Sequence, residues 1–142
     1  MFQHILIPTD GSLLSASALD SGLRFARSSG ARVTVVAVTE PFAVLSAEAR
    51  KIGLSQDVHE REVREEAARH LAEAARKAAA LGVACETVEV ENEHPYRGII
   101  ETATERGCDL ITMASHALTA SVVSSQTLNV LTHSDIPVLV YR

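Results

Sequence analysis

The chain has 142 residues and carries 13 Lys and Arg against 18 Asp and Glu, a net charge of −5. With 46% apolar and 22% charged residues it is neither a disordered chain nor a coiled coil, and its length suits one domain over 1–142 that builds a core without metal or disulfide staples. The acidic balance argues against a nucleic-acid partner or a membrane surface, because no basic face is available to neutralise phosphates, and no apolar run reaches the roughly 18 residues of a membrane span.

Two cysteines, Cys85 and Cys108, are too few for a disulfide framework, and Met1-Phe2-Gln3-His4 lacks the basic start of a secretory signal. A soluble cytoplasmic domain is expected. The first apolar run, His4-Ile5-Leu6-Ile7-Pro8, is short, β-branched and closed by the turn cluster Thr9-Asp10-Gly11-Ser12. A run that does not alternate suits a strand covered on both faces. Leu13, Ala16, Ser17, Leu19, Leu23, Ala26 and Arg27 then recur at helical spacing, with Ser12 as N-cap and Gly30 as stop. Arg32 to Val38 is a second buried strand, whereas residues 39–56 show no period and are interrupted by Pro41 and Gly53.

From Asp57 to Leu81 the apolar positions Ala67, Leu71, Ala74, Ala75, Ala78 and Leu81 form one stripe of a long helix. Glu60–Arg64, Glu65–Arg69 and Glu73–Lys77 are i,i+4 pairs with the acid on the favourable side. Cys85 to Val90 is a partly alternating strand whose Glu86 and Glu89 place it near a sheet edge. Pro95 opens a helix that buries Ile99, Ile100 and Ala103 and stops at Gly107. Leu110 to Ala114 is a fourth strand, Leu128, Val130 and Leu131 mark a last helix, and Pro137 to Tyr141 is a last strand. Strands alternating with helices of this length predict one α/β domain, an open parallel sheet with helices on both faces.

Ligands of such sheets bind beyond the carboxyl ends of the strands. Two segments qualify: Pro8 to Ser12, and Ala114-Ser115-His116-Ala117 with the loop onward to Ser125. Asp10 reads either as a turn or capping residue or as a polar contact to a sugar or base. A phosphoacceptor role is rejected, since Thr9 stands where a second acid is needed and no basic residue lies between Arg106 and Arg142. Ser115 and His116 are adjacent on a loop and lack an acidic orienter, so they read as turn residues and not as nucleophile and base. His4, His59, His70, His94 and His133 have no metal-ligand spacing, and no metal is expected. Cys85 and Cys108 read as small buried hydrophobes, and Tyr96 and Arg97 as surface residues of a first helical turn. Phe42, Val44, Leu45, Ile52 and Leu54 make 39–56 apolar for an irregular stretch, as suits a binding loop or a subunit contact.

The opening Ile5-Leu6-Ile7-Pro8-Thr9-Asp10-Gly11-Ser12 resembles that of the universal stress protein family, as do His94-Pro95-Tyr96, Gly107 to His116 and Val130 to Arg142, in order along the whole chain. The resemblance implies a Rossmann-like five-stranded parallel sheet of order 3-2-1-4-5, usually in dimers, and an ATP site in many members. Carried over by position, its base and ribose side falls on Pro8, Thr9, Asp10 and Val38, and its phosphate side on Ala114, Ser115, Ser124 and Ser125. The ATP-binding subgroup has Gly-x-x-Gly, nine residues, then Gly followed by Ser or Thr. Here Ala114 and Ala117 replace the first glycines, only the six residues Leu118 to Val123 precede Ser124-Ser125, and 107–141 holds no Lys or Arg. A methyl group obstructs the close backbone approach that phosphate needs. The expectation is therefore a homodimeric, non-catalytic stress-response or signalling module with weak or absent ATP binding, no required cofactor and an unidentified protein partner. The alternative is an adenine-nucleotide (AMP or ATP) binding protein or slow ATP hydrolase of the same family. The apolar loop 117–123 is expected to fill the phosphate space or to pack on a second subunit.

Overall fold

In the apolar run at the start of the chain, Ile5 and Ile7 point to one side of the sheet and Leu6 to the other, and all three are fully buried. That is why the run does not alternate: both faces of the strand are covered. The computed structural model of the chain describes residues 1–41, 56–115 and 125–141. Its elements are β1 (His4–Pro8), α1 (Leu13–Ser29), β2 (Arg32–Thr39), α2 (Gln56–Ala80), β3 (Cys85–Glu91), α3 (Pro95–Arg106), β4 (Leu110–Ala114), α4 (Ser125–His133) and β5 (Val138–Tyr141). The strands pair in parallel in the order β3-β2-β1-β4-β5. The expected order is therefore observed, with the glutamate-bearing β3 at one edge.

Two cores flank the sheet. Leu19, Leu23 and Ala26 of α1 and Leu71, Ala74 and Ala78 of α2 cover the face that carries Ile5, Ile7 and Val35. Ile99 and Ala103 of α3 and Val130 of α4 cover the face of Leu6, Val36 and Ile111. Glycine sets two of the approaches. A side chain at Gly98 would meet both Val38 methyls at 3.0 Å, so α3 lies directly on the end of β2. Gly11 has φ +80, and a side chain there would collide with the His70 ring of α2.

The caps are as expected. The Ser12 hydroxyl accepts the Ser15 N–H, and Gly30 and Gly107 close their helices in the left-handed conformation. The buried faces differ in part. On α1, Ser15, Ala18 and Gly22 join the buried stripe, while Leu13 is 92% exposed and Ser17 is exposed. On α2, Ala75 is exposed, and Lys77 reaches Asp20 of α1 at 3.1 Å, while Glu73 pairs with Arg76. On α4, Val130 is buried but Leu128 and Leu131 are exposed. In each case the neighbour, not the periodicity, selects the face. Most of 39–56, His116 and the loop 117–123 lie outside the described residues.

Candidate functional site

In strand order 3-2-1-4-5 the direction of winding reverses between β1 and β4, so the connections leaving these strands diverge and open a cleft. A cleft of about 260 Å³ lies there. Its floor is the end of the sheet: Pro8 and Thr9 from β1 and its exit, Val36 and Val38 from β2, and Met113 and Ala114 from β4. One wall is the first turn of α1 with Asp10 before it; the other is Pro95 and Ile99 of α3 with Gln126 and Thr127 of α4.

Pro8, Thr9, Asp10, Val38 and Ala114, expected from the sequence, are thus brought together. Ser115 is buried beside them, and its N–H donates to the Tyr141 carbonyl at 2.9 Å, as part of the sheet. Ser124 lies outside the described residues, and Ser125 is the first residue of α4. Asp10 is a turn residue that also borders the cleft: one carboxylate oxygen accepts the Ser12 N–H at 2.9 Å, and the side chain is exposed.

The sequence reading missed Ser15, Gln126 and Thr127. Ser15 donates its hydroxyl to Thr9 Oγ1 at 3.1 Å and accepts the Asp10 N–H at 3.1 Å, tying the β1 exit to α1. Its signal was its place three residues after the cap, on the turn that faces the cleft. Thr127 donates its hydroxyl to the Ala114 carbonyl at 2.9 Å and fixes α4 against the end of β4. Gln126 Oε1 accepts the Tyr96 N–H at 3.0 Å. The Tyr96 N–H is one of the unpaired donors at the start of α3, where His94 makes no side-chain cap. Tyr96 is consequently more than a surface residue: it is half-buried, packs on the core of that face and lies 5.2 Å from the His133 ring. No Lys, Arg or His lines the cleft among the described residues, and Asp10 is its one ionisable group.

A second polar cluster occupies the opposite end of the sheet. The Asp109 carboxylate accepts the N–H groups of Gln3 and His4. His4 Nε2 lies 2.6 Å from Thr34 Oγ1, and the Thr34 hydroxyl donates to Glu86 at 2.8 Å. With its proton given to Glu86, Thr34 accepts from His4, so the imidazole carries its hydrogen on Nε2. Arg106 closes the chain on Glu86 at 3.1 Å. Burial holds the His4 pKa below its ordinary value, aided by nearby Arg32. The Thr34 hydroxyl holds Glu86 low, and for Asp109 burial is outweighed by backbone donors, those of Gln3 and His4 foremost, so it too is lowered. Burial pushes the Cys108 thiol up to about 11 and raises that of Cys85, which makes both poor nucleophiles. Among the described residues no three His, Cys, Asp or Glu side chains gather as a metal site.

The chain matches Usp, the universal stress protein family, over residues 1–142. It belongs to that family. It is 30% identical over 149 residues to the universal stress protein YxiE of Bacillus subtilis (strain 168), with the whole of both chains covered. It is similar to the crystal structure of a universal stress protein family member from Burkholderia pseudomallei, at 28% identity and a TM-score of 0.79, covering 98% of this chain and 95% of that one. The fold alone is shared with the universal stress protein from Archaeoglobus fulgidus in complex with dAMP, at 20% identity and a TM-score of 0.73, covering 99% of this chain and 98% of that one. Universal stress protein membership makes this a stress-response protein with the Rossmann-like architecture described above. No described helix is long and apolar enough to cross a membrane.

Proposed function

We propose that this chain is a cytoplasmic, non-catalytic, dimeric stress-response module whose cleft takes an adenine nucleoside or nucleoside monophosphate, with ATP bound weakly or not at all. The observation that carries the reading is the charge of the cleft: one carboxylate, no cation among its described lining residues, and no Lys or Arg anywhere from 107 to 141. Three phosphates bring several negative charges that no described lining side chain offsets. The volume points the same way, since about 260 Å³ lies just below the roughly 300 Å³ at which ligand pockets usually start. The apolar floor suits a flat base, and Asp10 suits the hydroxyls of a ribose. The dAMP complex of the Archaeoglobus relative supports a monophosphate in this fold. Among the described lining residues, a phosphoryl-transfer reading finds neither a cation for the transition state nor a base other than Asp10.

The dimer forms through the β5 edge. Edge β3 exposes Glu86, Glu89 and Glu91, which oppose pairing, whereas β5 presents Val138, Leu139, Val140 and Tyr141 beside the exposed Leu128 and Leu131 of α4. Calorimetry with adenosine, AMP and Mg-ATP tests the ligand, and sedimentation at micromolar concentration tests the dimer. Adenosine and AMP are expected to bind and Mg-ATP to bind at least about tenfold more weakly than AMP, without phosphate release. A low-micromolar dissociation constant for Mg-ATP, or steady phosphate release, overturns the reading.

A further inference from the structure

We infer that Gln126 is the residue that recognises the phosphate of a nucleoside monophosphate in this cleft, acting through its side-chain NH2 group; the inference rests on the ligand reading proposed above. An amide side chain has one acceptor and one double donor, and which of them faces a cleft is decided by the bonds it makes elsewhere. The Tyr96 backbone N–H can only donate, so the atom 3.0 Å from it is the oxygen of Gln126. The group that Gln126 has left to offer to the cleft it lines is the NH2.

Among the described lining residues, the other polar side chains are spoken for or wrongly placed for an anion. The Thr127 hydroxyl is given to the Ala114 carbonyl, and the Ser15 hydroxyl to Thr9. Ser12 on the wall of Asp10 and Thr9 on the floor next to it lie beside that carboxylate, whose negative charge drives an anion away from that side. A phosphate is therefore directed to the α4 wall, where the Gln126 amide supplies a neutral donor. One such donor suits one phosphate group and gives no counter-charge for three. The cap also makes the donor rigid, because turning the amide over would leave a helix N–H of α3 facing another N–H. Where the ATP-binding pattern of the family relies on glycine backbone, this chain thus uses a side chain braced by a neighbouring helix.

The test compares AMP with adenosine by titration calorimetry in the full chain and in Gln126→Glu and Gln126→Leu. The glutamate keeps an acceptor for the Tyr96 N–H and so preserves the cap, while replacing the donor with an anion. AMP should bind Gln126→Glu at least about tenfold more weakly, with adenosine held within about twofold. Gln126→Leu should lose AMP affinity in the same direction while retaining adenosine. If the unaltered chain binds both ligands and the variants weaken both equally, or neither, the assignment of Gln126 is wrong while the ligand reading stands. If the unaltered chain binds neither ligand, the ligand reading itself fails and the assignment falls with it.

Discussion

The two ends of the parallel sheet carry similar kinds of polar residue and use them in opposite ways. At the amino ends of the strands, Asp109, His4, Thr34, Glu86 and Arg106 spend most of their hydrogen-bonding capacity on one another and on the backbone, with His4 Nδ1 left buried and unpartnered. At the carboxyl ends, Asp10 commits one oxygen to a turn and Gln126 commits its oxygen to a helix cap, and each leaves a polar face on an apolar cleft. A polar group whose bonds close within the protein stabilises the fold, because breaking the set strands a buried partner. A polar group left half-used beside a cavity contributes little to folding and is available to a ligand.

The largest effect should come from breaking the closed set. Thr34 is fully buried, and Thr34→Val removes the link between His4 and Glu86 at nearly constant volume, stranding the His4 N–H. Urea unfolding should show a loss of about 1–3 kcal/mol. A loss too small to measure would mean that the amino-end network is not a structural device.

Acid should open the same set in two stages. His4 has its pKa below the ordinary 6.5, so the unfolded chain takes up its proton first. Its contribution is present above that value and is lost as pH falls from there toward the folded-state pKa. Glu86 and Asp109 are also lowered, so theirs is present above the ordinary carboxylate range, about pH 4, and is lost below it. Urea midpoints measured from pH 7.5 to 4 should fall on the acid side of 6.5, and His4→Gln should flatten that first stage. A level profile in the unaltered chain would show that His4 is not held neutral.

The open end should respond in binding and hardly in stability. Asp10→Asn keeps an oxygen for the Ser12 N–H and loses the charge, so stability should change by less than about 0.5 kcal/mol. Adenosine affinity should nevertheless drop about tenfold, since a neutral amide accepts a ribose hydroxyl less strongly than a carboxylate does. Calorimetry beside a denaturation curve separates the two, and a change in stability without a change in affinity would make Asp10 a turn residue alone.

What could be read from the sequence alone is what short-range physics controls. Unalternating apolar strands, the Ser12 cap, the glycine stops at Gly30 and Gly107, and Pro95 at a helix start are set within a few residues of each other, and all recur in the structure. The glutamates that mark β3 as an edge belong to the same class, and so do Pro8, Thr9, Asp10 and Ala114 of the cleft, because they sit at strand ends, whereas Val38 was implied by the family resemblance. Tertiary structure alone decided which helix face was buried and which side chain met which backbone group. Leu128 and Leu131 kept the helical spacing of a core yet lie outside it, since α4 turns Thr127 and Val130 inward. Lys77 left its helical partner for Asp20 on α1, and Gln126 reached 30 residues back to cap α3 at Tyr96. Such contacts have no sequence period: they depend on how helices cross a twisted sheet, and that geometry exists only once both faces of the sheet are packed.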